Sequence, residues 1–179
     1  MAVKISTKNG DKGFSSLANG QKLSKKELVF DVLGSLDELN SWLGLIVSKM
    51  DQQFEQKKKF VIYFQKELFT LSAEIAQAPN IQTNKSILTR IEKESEQLEI
   101  ALGNIKNKFV LPGGTQLAAY TDIARTVCRR AERNLVTLAE DRKVRPVNLK
   151  ILNRFSDYLY LLRYYINFKS SFKETIINN

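Results

Sequence analysis

The segment VFDVLGSLDELNSWLGLI, residues 29–46, carries the pattern that decides the fold. Its apolar side chains recur at steps of three and four residues, which places them along one face of an α-helix. They are Val29, Val32, Leu36, Leu39, Leu43 and Ile46. Since a helix of this kind buries one face, the segment predicts an amphipathic helix packed against a core.

Four further segments repeat this spacing, and breaks in composition separate them. Their apolar positions are Val61, Phe64, Leu68, Leu71 and Ile75; Leu88, Ile91, Leu98, Leu102 and Ile105; Leu117, Tyr120, Ala124, Val127, Ala131, Leu135 and Leu138; and Leu152, Phe155, Leu159, Leu162 and Ile166. Pro79 ends the second helix, Thr115 suits the N-cap of the fourth, and Pro146 suits the first turn of the fifth. Because no internal repeat occurs, the pattern predicts an all-α, five-helix up-and-down bundle.

The remaining segments lie at the two ends of the chain. The first 25 residues are polar and rich in glycine, so we expect a loop that lies over the bundle. Residues 169–179 form a polar tail without a readable pattern. A chain of 179 residues is long enough to build its own core, and we predict a single domain over residues 1–179.

Composition narrows the class of protein. Hydrophobic residues make up 43% and charged residues 26%, as in globular domains, and no apolar run reaches the roughly 20 residues that span a bilayer. The first residues lack the apolar stretch of a secretory signal, so we expect a cytoplasmic protein that acts away from membranes. The net charge of +9 favours anionic partners, although the run Lys57–Lys59 is typical of a solvated helix face.

Histidine is absent from the chain. This excludes an imidazole base, a catalytic triad that needs histidine and every zinc site with a histidine ligand. The single cysteine, Cys128, excludes an internal disulfide and has no imidazole to activate it, so we expect a small core residue. Metal chemistry would have to come from carboxylates or arrive with a substrate.

The stretch Thr7–Gly13, TKNGDKG, is the first candidate binding segment. Glycine allows backbone N–H groups to approach an anion, and the lysines add charge. The hydroxyls of Ser15 and Ser16 and the ammonium of Lys25 extend the set of donors. Because the GxxxxGK[ST] and GxGxxG spacings are both missing, polyphosphate binding and a solvated turn remain open as interpretations.

A polar row on the fourth predicted helix is the second candidate. Asp122, Arg125, Arg129 and Glu132 recur at three, four and three residues, so they share one face. The forked donors of arginine suit phosphate and carboxylate groups, which favours a ligand or a partner on that face. A ladder of salt bridges within the helix explains the same spacing.

Three smaller features add candidate positions. Asn153, Asp157 and Tyr160 share a polar face of the fifth helix, which suits either an internal network or a ligand. Phe109 precedes the turn Pro112–Gly114, where core packing is the simpler explanation. Asp37 places a carboxylate on the first helix, which implies no chemistry by itself.

Together these features resemble the PduO-type ATP:cob(I)alamin adenosyltransferases over nearly the whole chain. Five motifs in order carry the resemblance: TKNGDKG at 7–13, GSLDELN at 34–40, FVLPGG at 109–114, ARTVCRRAER at 124–133 and LNRFSDY at 152–158. Each motif is weak alone, whereas the ordered set of five is specific.

The resemblance implies a ferritin-like five-helix bundle that works as a homotrimer, with active sites at subunit interfaces. It implies transfer of the 5′-deoxyadenosyl group of ATP to the cobalt of reduced cobalamin, giving adenosylcobalamin and triphosphate. Mg²⁺ is implied on the ATP phosphates, without protein ligands that the resemblance identifies. A reductase and a cobalamin-dependent enzyme are the implied partners, and nucleic acid is not.

The resemblance also implies roles for individual residues. Its ATP-binding positions are Thr7, Lys8, Asn9, Gly10, Ser15, Ser16, Lys25, Arg129, Arg130, Ala131, Glu132, Arg133 and Asn153. Arg125 is implied to pair with Asp37 of the neighbouring subunit and to close the interface. Phe109 is implied to sit against the corrin, where a lower axial ligand would otherwise bind.

Three positions depart from the family pattern, and two other functions compete with it. Phe14, Asn19 and Leu33 stand where the family commonly has a hydroxyl, a glycine and a tyrosine, which leaves the path of the loop and its ATP affinity open. A catalytically silent homologue that carries cobalamin or ATP is one alternative, and the presence of all principal motifs disfavours it. A basic helical protein that binds nucleic acid is the other, and the absence of a DNA-binding motif disfavours it.

Overall fold

Five α-helices form where the apolar spacing predicts them, in a computed structural model that describes residues 8, 10–103 and 110–177. The helices are α1 (Leu28–Lys49), α2 (Glu55–Ile75), α3 (Ser86–Leu102), α4 (Gln116–Asp141) and α5 (Pro146–Lys169). A short 3-10 helix, Gln52–Phe54, links α1 to α2, and two strands, β1 (Phe14–Ser16) and β2 (Lys22–Ser24), precede α1. In these residues, none of the helices has the length and apolarity that crossing a membrane requires.

The predicted helix ends agree with the capping chemistry. The Thr115 side chain caps α4 by accepting a hydrogen bond from Ala118 N at 3.3 Å, and Pro146 occupies the first turn of α5. The helix α2 ends at Ile75, four residues before Pro79, as the proline predicts. In α3 the buried stripe uses Ile87 where the sequence indicated Leu88, which is only half-buried. Ile105, assigned to the same stripe, lies outside the described residues.

A single core joins the helices. The helix α1 packs against α2 and α4, and α5 packs against α3 and α4. Aromatic rings connect α2 to α5: Phe64 stacks on Phe155 with ring centroids 3.4 Å apart, and Phe60 meets Tyr158 edge-on at 4.7 Å. The apolar stripes of all five helices therefore converge on this interior, and the bundle prediction is confirmed.

The N-terminal segment is more ordered than the predicted loop. Strand β1 pairs antiparallel with β2, and the connecting turn is closed by hydrogen bonds between Leu17 and both Gly20 and Gln21. Leu17 is buried, and Ala18 N donates to Ala76 O at 2.9 Å, which docks the hairpin on the end of α2. The loop prediction was wrong for the residues of β1 and β2, because strands of three residues are too short to show a periodic pattern.

One expectation about the surface fails, and the polar tail makes contacts about which the sequence made no prediction. Lys57 is buried, and its ammonium lies 3.0 Å from Glu94 Oε2 of α3, so the prediction of a solvated run holds for Lys59 but not for Lys57. The polar tail is bonded to the rest of the chain: Leu111 N donates to Thr175 O at 3.0 Å, and Ile176 forms an antiparallel bridge with Val110.

Candidate functional site

A cleft of about 400 Å³ between α4 and α5 holds four of the predicted ATP-binding residues. It is lined by Arg129, Glu132, Arg133, Val136, Thr137 and Asn153. Steps of three and four residues bring the α4 side chains to one side of the cleft, and Asn153 of α5 faces them. Asn153 Nδ2 donates to Glu132 Oε1 at 2.9 Å, which ties the two helices together at the cleft.

Two guanidinium groups border this cleft. Arg129 and Arg133 are both exposed, and Arg133 Nη1 donates to the backbone carbonyl of Arg129 at 3.4 Å. Among the described residues, Glu132 is the one carboxylate that lines the cleft, and Asn153 occupies one of its oxygens. The arrangement leaves a net positive surface with forked donors, which is suited to a phosphate chain.

The other two members of the Arg129–Arg133 run point elsewhere. Arg130 forms an ion pair with Glu38 of α1, and both side chains are almost half exposed. Ala131 is fully buried in the core. Because successive helical residues are 100° apart, the five contiguous residues Arg129–Arg133 are distributed over the cleft, the side of α4 that meets Glu38 of α1, and the interior.

Arg125 lies one turn before the cleft residues on α4 and pairs within its own chain. Its Nε lies 3.2 Å from Asp122 Oδ1, and its guanidinium carbon lies 6.0 Å from the centre of the Tyr160 ring. Asp37, its predicted partner, is exposed on α1. The salt-bridge ladder considered for the polar row is thus limited, in the described part of the chain, to the pair of Asp122 and Arg125.

The N-terminal binding segment is only partly described, since Thr7 and Asn9 lie outside the described residues. Lys25 brings its ammonium over Gly10, so closely that a Cβ at Gly10 would lie 2.8 Å from Lys25 Nζ. The backbone N–H of Lys25 also donates to Gly13 O at 2.9 Å. The predicted glycine and lysine positions therefore do meet in space, and a side chain at position 10 would displace the Lys25 ammonium.

The rest of this segment follows the hairpin. Ser15 and Ser16 are consecutive on β1 and lie opposite Leu23 and Lys22 of β2, so their side chains leave opposite faces of the strand. Asn19, one of the departures from the family pattern, donates to Gln77 Oε1 at 2.7 Å. Within the described residues, no hydrogen bond or ion pair joins this segment to the α4–α5 cleft.

The polar face predicted on α5 separates into three local contacts. Asn153 joins Glu132 in the cleft, Asp157 lies 3.6 Å from Arg154, and the Tyr160 hydroxyl lies 3.4 Å from that of Tyr164. Burial raises the pKa of the Asp157 carboxyl, and the nearby Glu132 carboxylate adds to that rise against the attraction of Arg154. Asp157 thus lies beside the cleft without lining it.

Cys128 is a core residue, as predicted. It is fully buried, and its thiol donates to Leu152 O at 3.3 Å. Burial, followed by the negative charges of Glu132 and Asp157, raises its pKa far above the ordinary thiol value. The thiolate needed for nucleophilic chemistry is therefore not populated near neutral pH.

Arg163 is the main residue that the sequence analysis missed. It lies on α5 with 1% of its side chain exposed, and it pairs with Asp122 and Glu174. Its position within the run LYLLRYYI was the available signal, because an arginine among core positions of a helix requires buried carboxylates as partners. Those partners lie 41 and 11 residues away, and no helical spacing indicates them.

A second and larger cleft, of about 580 Å³, is lined by none of the predicted site residues that the structure describes. It is lined by Lys85, Leu88, Thr89, Arg145, Pro146, Val147 and Lys150, where α3 and α5 begin. Arg145 is already engaged there by Glu74 and by the carbonyl of Thr83. The smaller cleft differs in that arginine, glutamate and asparagine side chains predicted for the site converge there.

Known proteins resemble this chain in sequence and in fold. The family model described as cobalamin adenosyltransferase matches residues 5–166. A cobalamin adenosyltransferase of Cupriavidus metallidurans is 34% identical over 92% of this chain and 88% of its own, and a corrinoid adenosyltransferase of Bacillus subtilis is 32% identical over 94% and 89%. A variant of a PduO-type ATP:corrinoid adenosyltransferase from Lactobacillus reuteri, complexed with cobalamin and ATP, superposes with a TM-score of 0.92 at 30% identity, over 98% of this chain and 100% of that one.

Proposed function

Because the chain belongs to the cobalamin adenosyltransferase family, we propose that it joins the 5′ carbon of ATP to the cobalt of reduced cobalamin. The Co(I) centre supplies the electron pair of the new cobalt–carbon bond, and the bond between C5′ and the triphosphate oxygen breaks. Adenosylcobalamin and triphosphate are the products. The observation that carries this proposal is the convergence of Arg129, Glu132, Arg133 and Asn153 on one cleft.

The charges of the cleft suit the leaving group of this reaction. Negative charge grows on the triphosphate as the C5′–O bond breaks, and donors that are already oriented stabilise that charge most effectively. Arg129 and Arg133 are the cations at the cleft, and Asn153, oriented by Glu132, keeps one amide N–H for the nucleotide. Lys8 and Lys25 are the corresponding cations of the N-terminal segment.

In the proposal, assembly as a homotrimer brings together the two halves of the site, the α4–α5 cleft and the N-terminal segment. The N-terminal segment of one subunit, with Thr7, Asn9 and Lys25, covers the nucleotide held by the α4–α5 cleft of its neighbour. Arg125 pairs across the same interface with Asp37, whose exposure on α1 leaves it accessible to a second subunit. The lack of any bond between the two halves within the described residues supports an intersubunit site.

Phe109 has the role of excluding an axial ligand from cobalt. Removing the axial base makes reduction to nucleophilic Co(I) easier, and an apolar ring keeps water from that position. A chain without histidine supplies no replacement imidazole. Phe109 lies outside the described residues, so this role rests on the FVLPGG motif.

Mg²⁺ suits the chemistry of the donors in the cleft. The ion prefers oxygen ligands and is commonly held by one or two carboxylates together with substrate phosphates. Glu132 provides a carboxylate that lines the cleft. Bound to the phosphates, Mg²⁺ would neutralise charge on the triphosphate, and Glu132 would orient it there.

The cellular setting completes the proposal. The chain acts as one domain in the cytoplasm, a reductase supplies Co(I), and a cobalamin-dependent enzyme receives the adenosylcobalamin.

The test mixes the protein with ATP, Mg²⁺ and chemically reduced cobalamin and follows the absorbance of the corrinoid. We expect adenosylcobalamin to form. Arg129→Ala and Arg133→Ala each remove charge-assisted bonds to phosphate, worth about 1.5–3 kcal/mol, so kcat/KM for ATP should fall at least tenfold. The control is Arg90→Ala, which removes an exposed arginine stacked on Tyr63, outside the cleft, and should change kcat/KM less than twofold.

Other outcomes of this assay separate the competing functions. ATP binding without any adenosylcobalamin would favour the silent homologue. Salt-sensitive binding of oligonucleotides without corrinoid chemistry would favour the nucleic-acid protein. For the interface, Arg125→Ala and Asp37→Ala should each impair activity, and a fully active Arg125→Ala enzyme would remove the proposed bridge.

A further inference from the structure

One buried carboxylate connects Arg125 to the loop before α4 and to the interior of α5. Asp122 Oδ1 lies 3.2 Å from Arg125 Nε. Its other oxygen, Oδ2, accepts hydrogen bonds from Arg163 Nε at 3.0 Å and from Gly113 N at 3.1 Å. Only 6% of Asp122 is exposed, so these three donors, and not water, determine where the carboxylate lies.

Arg163 connects this carboxylate to the C-terminal tail. Its Nη1 and Nη2 donate to the two oxygens of Glu174 at 2.9 and 2.8 Å, a bidentate pair. The same Nη2 donates to Leu111 O at 2.9 Å. Asn167 supports the arrangement by donating to Gly113 O and to Glu174 Oε1, each at 3.0 Å.

Asp122 and Glu174 both form ion pairs with the Arg163 guanidinium. With Glu174 present, Asp122 receives only Nε of Arg163 and keeps Oδ1 for Arg125. Without the Glu174 charge, the buried guanidinium retains a single anionic partner, and a buried charge without enough compensation is strongly unfavourable. Rotation of Asp122 into a bidentate pair with Arg163 would restore the balance and would withdraw Oδ1 from Arg125.

We propose that Glu174 is a positioning residue for adenosyl transfer, because it holds the Arg125 guanidinium in place through Arg163 and Asp122. The inference rests on the proposed function, which assigns Arg125 to the contact that closes the site. It gives the tail after α5 a part in the reaction, although Glu174 makes no contact with Arg125 or with the α4–α5 cleft in the described residues.

A double-mutant cycle tests this relay. We expect Glu174→Gln to lower kcat/KM for reduced cobalamin about tenfold in the wild-type background, since coupling through a shared network is commonly of that size. In the Arg125→Ala background, the same substitution should change kcat/KM less than twofold, because the group being positioned is gone. The KM for ATP should stay within twofold of wild type, since no member of the relay lines the cleft.

Two further variants separate positioning from folding. Glu174→Asp keeps the charge and should stay within about threefold of wild type, as a conservative replacement in a positioning role would. Glu94→Gln removes the carboxylate from another partly buried pair, with Lys57 between α2 and α3. Any small loss of kcat/KM that Glu94→Gln causes should be the same in the wild-type and Arg125→Ala backgrounds.

The outcomes distinguish this inference from the proposed function. A wild-type protein that makes no adenosylcobalamin overturns the function itself. With an active wild type, an equal loss from Glu174→Gln in both backgrounds, or no loss in either, overturns the relay alone. If Arg125→Ala turns over too slowly to measure, the same cycle is built on the dissociation constant for reduced cobalamin in the presence of ATP.

Discussion

Replacing Glu74 with glutamine removes one negative charge from a buried cluster at the end of α2. The carboxylate accepts hydrogen bonds from Thr83 N at 2.6 Å and from Asn148 Nδ2 at 2.9 Å. Arg145 Nε lies 2.9 Å from the same oxygen that Asn148 uses. The side chain of Glu74 is only 12% exposed, so water does little to replace these partners.

The cost follows from the donors that glutamine leaves without an acceptor. A glutamine has one carbonyl oxygen, so either Thr83 N or the Asn148 and Arg145 side chains would face an NH₂ group. A buried donor left unsatisfied costs about 1–3 kcal/mol, and breaking a buried ion pair costs about 3–5 kcal/mol. Because the Arg145 side chain is 26% exposed, we take the lower part of the second range and expect Glu74→Gln to lower the free energy of unfolding by about 3 kcal/mol.

The dependence on pH has a defined sign. Burial by itself raises the pKa of Glu74, but the hydrogen bonds from Thr83 and Asn148 and the charge of Arg145 together lower it. A carboxylate whose pKa is lower in the folded state stabilises the fold above its unfolded pKa, about 4.3 for glutamate, and loses that contribution as the pH falls further. The stability gap between wild type and Glu74→Gln should therefore narrow below about pH 4.

Urea unfolding followed by circular dichroism at pH 7 and at pH values down to 3.5 measures this gap. Both proteins are compared at one protomer concentration, because the proposed subunit association would add to apparent stability. Glu92→Gln is the control: it removes a carboxylate from an exposed pair with Arg154 and should cost less than about 1 kcal/mol. A gap that stays constant across the pH range, or a cost at pH 7 no larger than that of the control, would refute the reasoning.

Three other perturbations address the loop before α4, the cysteine and the proposed corrinoid contact of Phe109. Gly114→Ala should lower the free energy of unfolding by about 2 kcal/mol or more, because φ is +106° there and a Cβ would overlap the buried side chain of Asn167. The control is Gly44→Ala, in a regular helical turn, which should be neutral or stabilising in the same urea titration. Cys128 should resist alkylation by iodoacetamide at pH 8 in the folded protein and react once urea unfolds it, and rapid labelling of the folded state would contradict its burial. Phe109→Ala should slow turnover that starts from the oxidised corrinoid while sparing turnover from pre-reduced cobalamin, and rates equal to wild type from the oxidised form would count against its axial role.

The helices were predictable because their information is local. The steps of three and four residues in α1 and α4 mark a buried face directly, and Pro79, Thr115 and Pro146 limit the helix ends through backbone chemistry that acts within one turn. The hairpin was not predictable in the same way. Its strands contain three residues each, and Leu17 is the only residue between Asp11 and Gln21 that the structure buries.

The ion pairs of the two buried cations escaped prediction for a different reason. Lys57 and Arg163 each occupy a core-facing position, and sequence spacing identifies the face of a helix without identifying the partner across it. Glu94 is the partner of Lys57, and Asp122 and Glu174 are the partners of Arg163. Glu94 interrupts the apolar stripe of the third helix in the sequence, but nothing local assigns it to Lys57 or assigns Glu174 to Arg163. Assigning charged residues to the surface by default therefore fails wherever a distant carboxylate lies opposite.

Sequence spacing identifies the face of a helix but not its partner, and this also limited how much of the site could be predicted. Helical spacing placed Arg129 and Glu132 on one face, the family resemblance added Arg133, and the structure brings Asn153 to them across the cleft. Spacing could not decide between two carboxylates for Arg125, since Asp122 is three residues away on its own helix and Asp37 lies on another. Within one chain the Nε of Arg125 donates to Asp122, and 22% of the Arg125 side chain is exposed, which leaves surface for a second anion. An arginine so held by its own carboxylate is pre-oriented toward a partner, and the two interpretations of the polar row, an internal salt bridge and an intersubunit contact, are compatible at this residue.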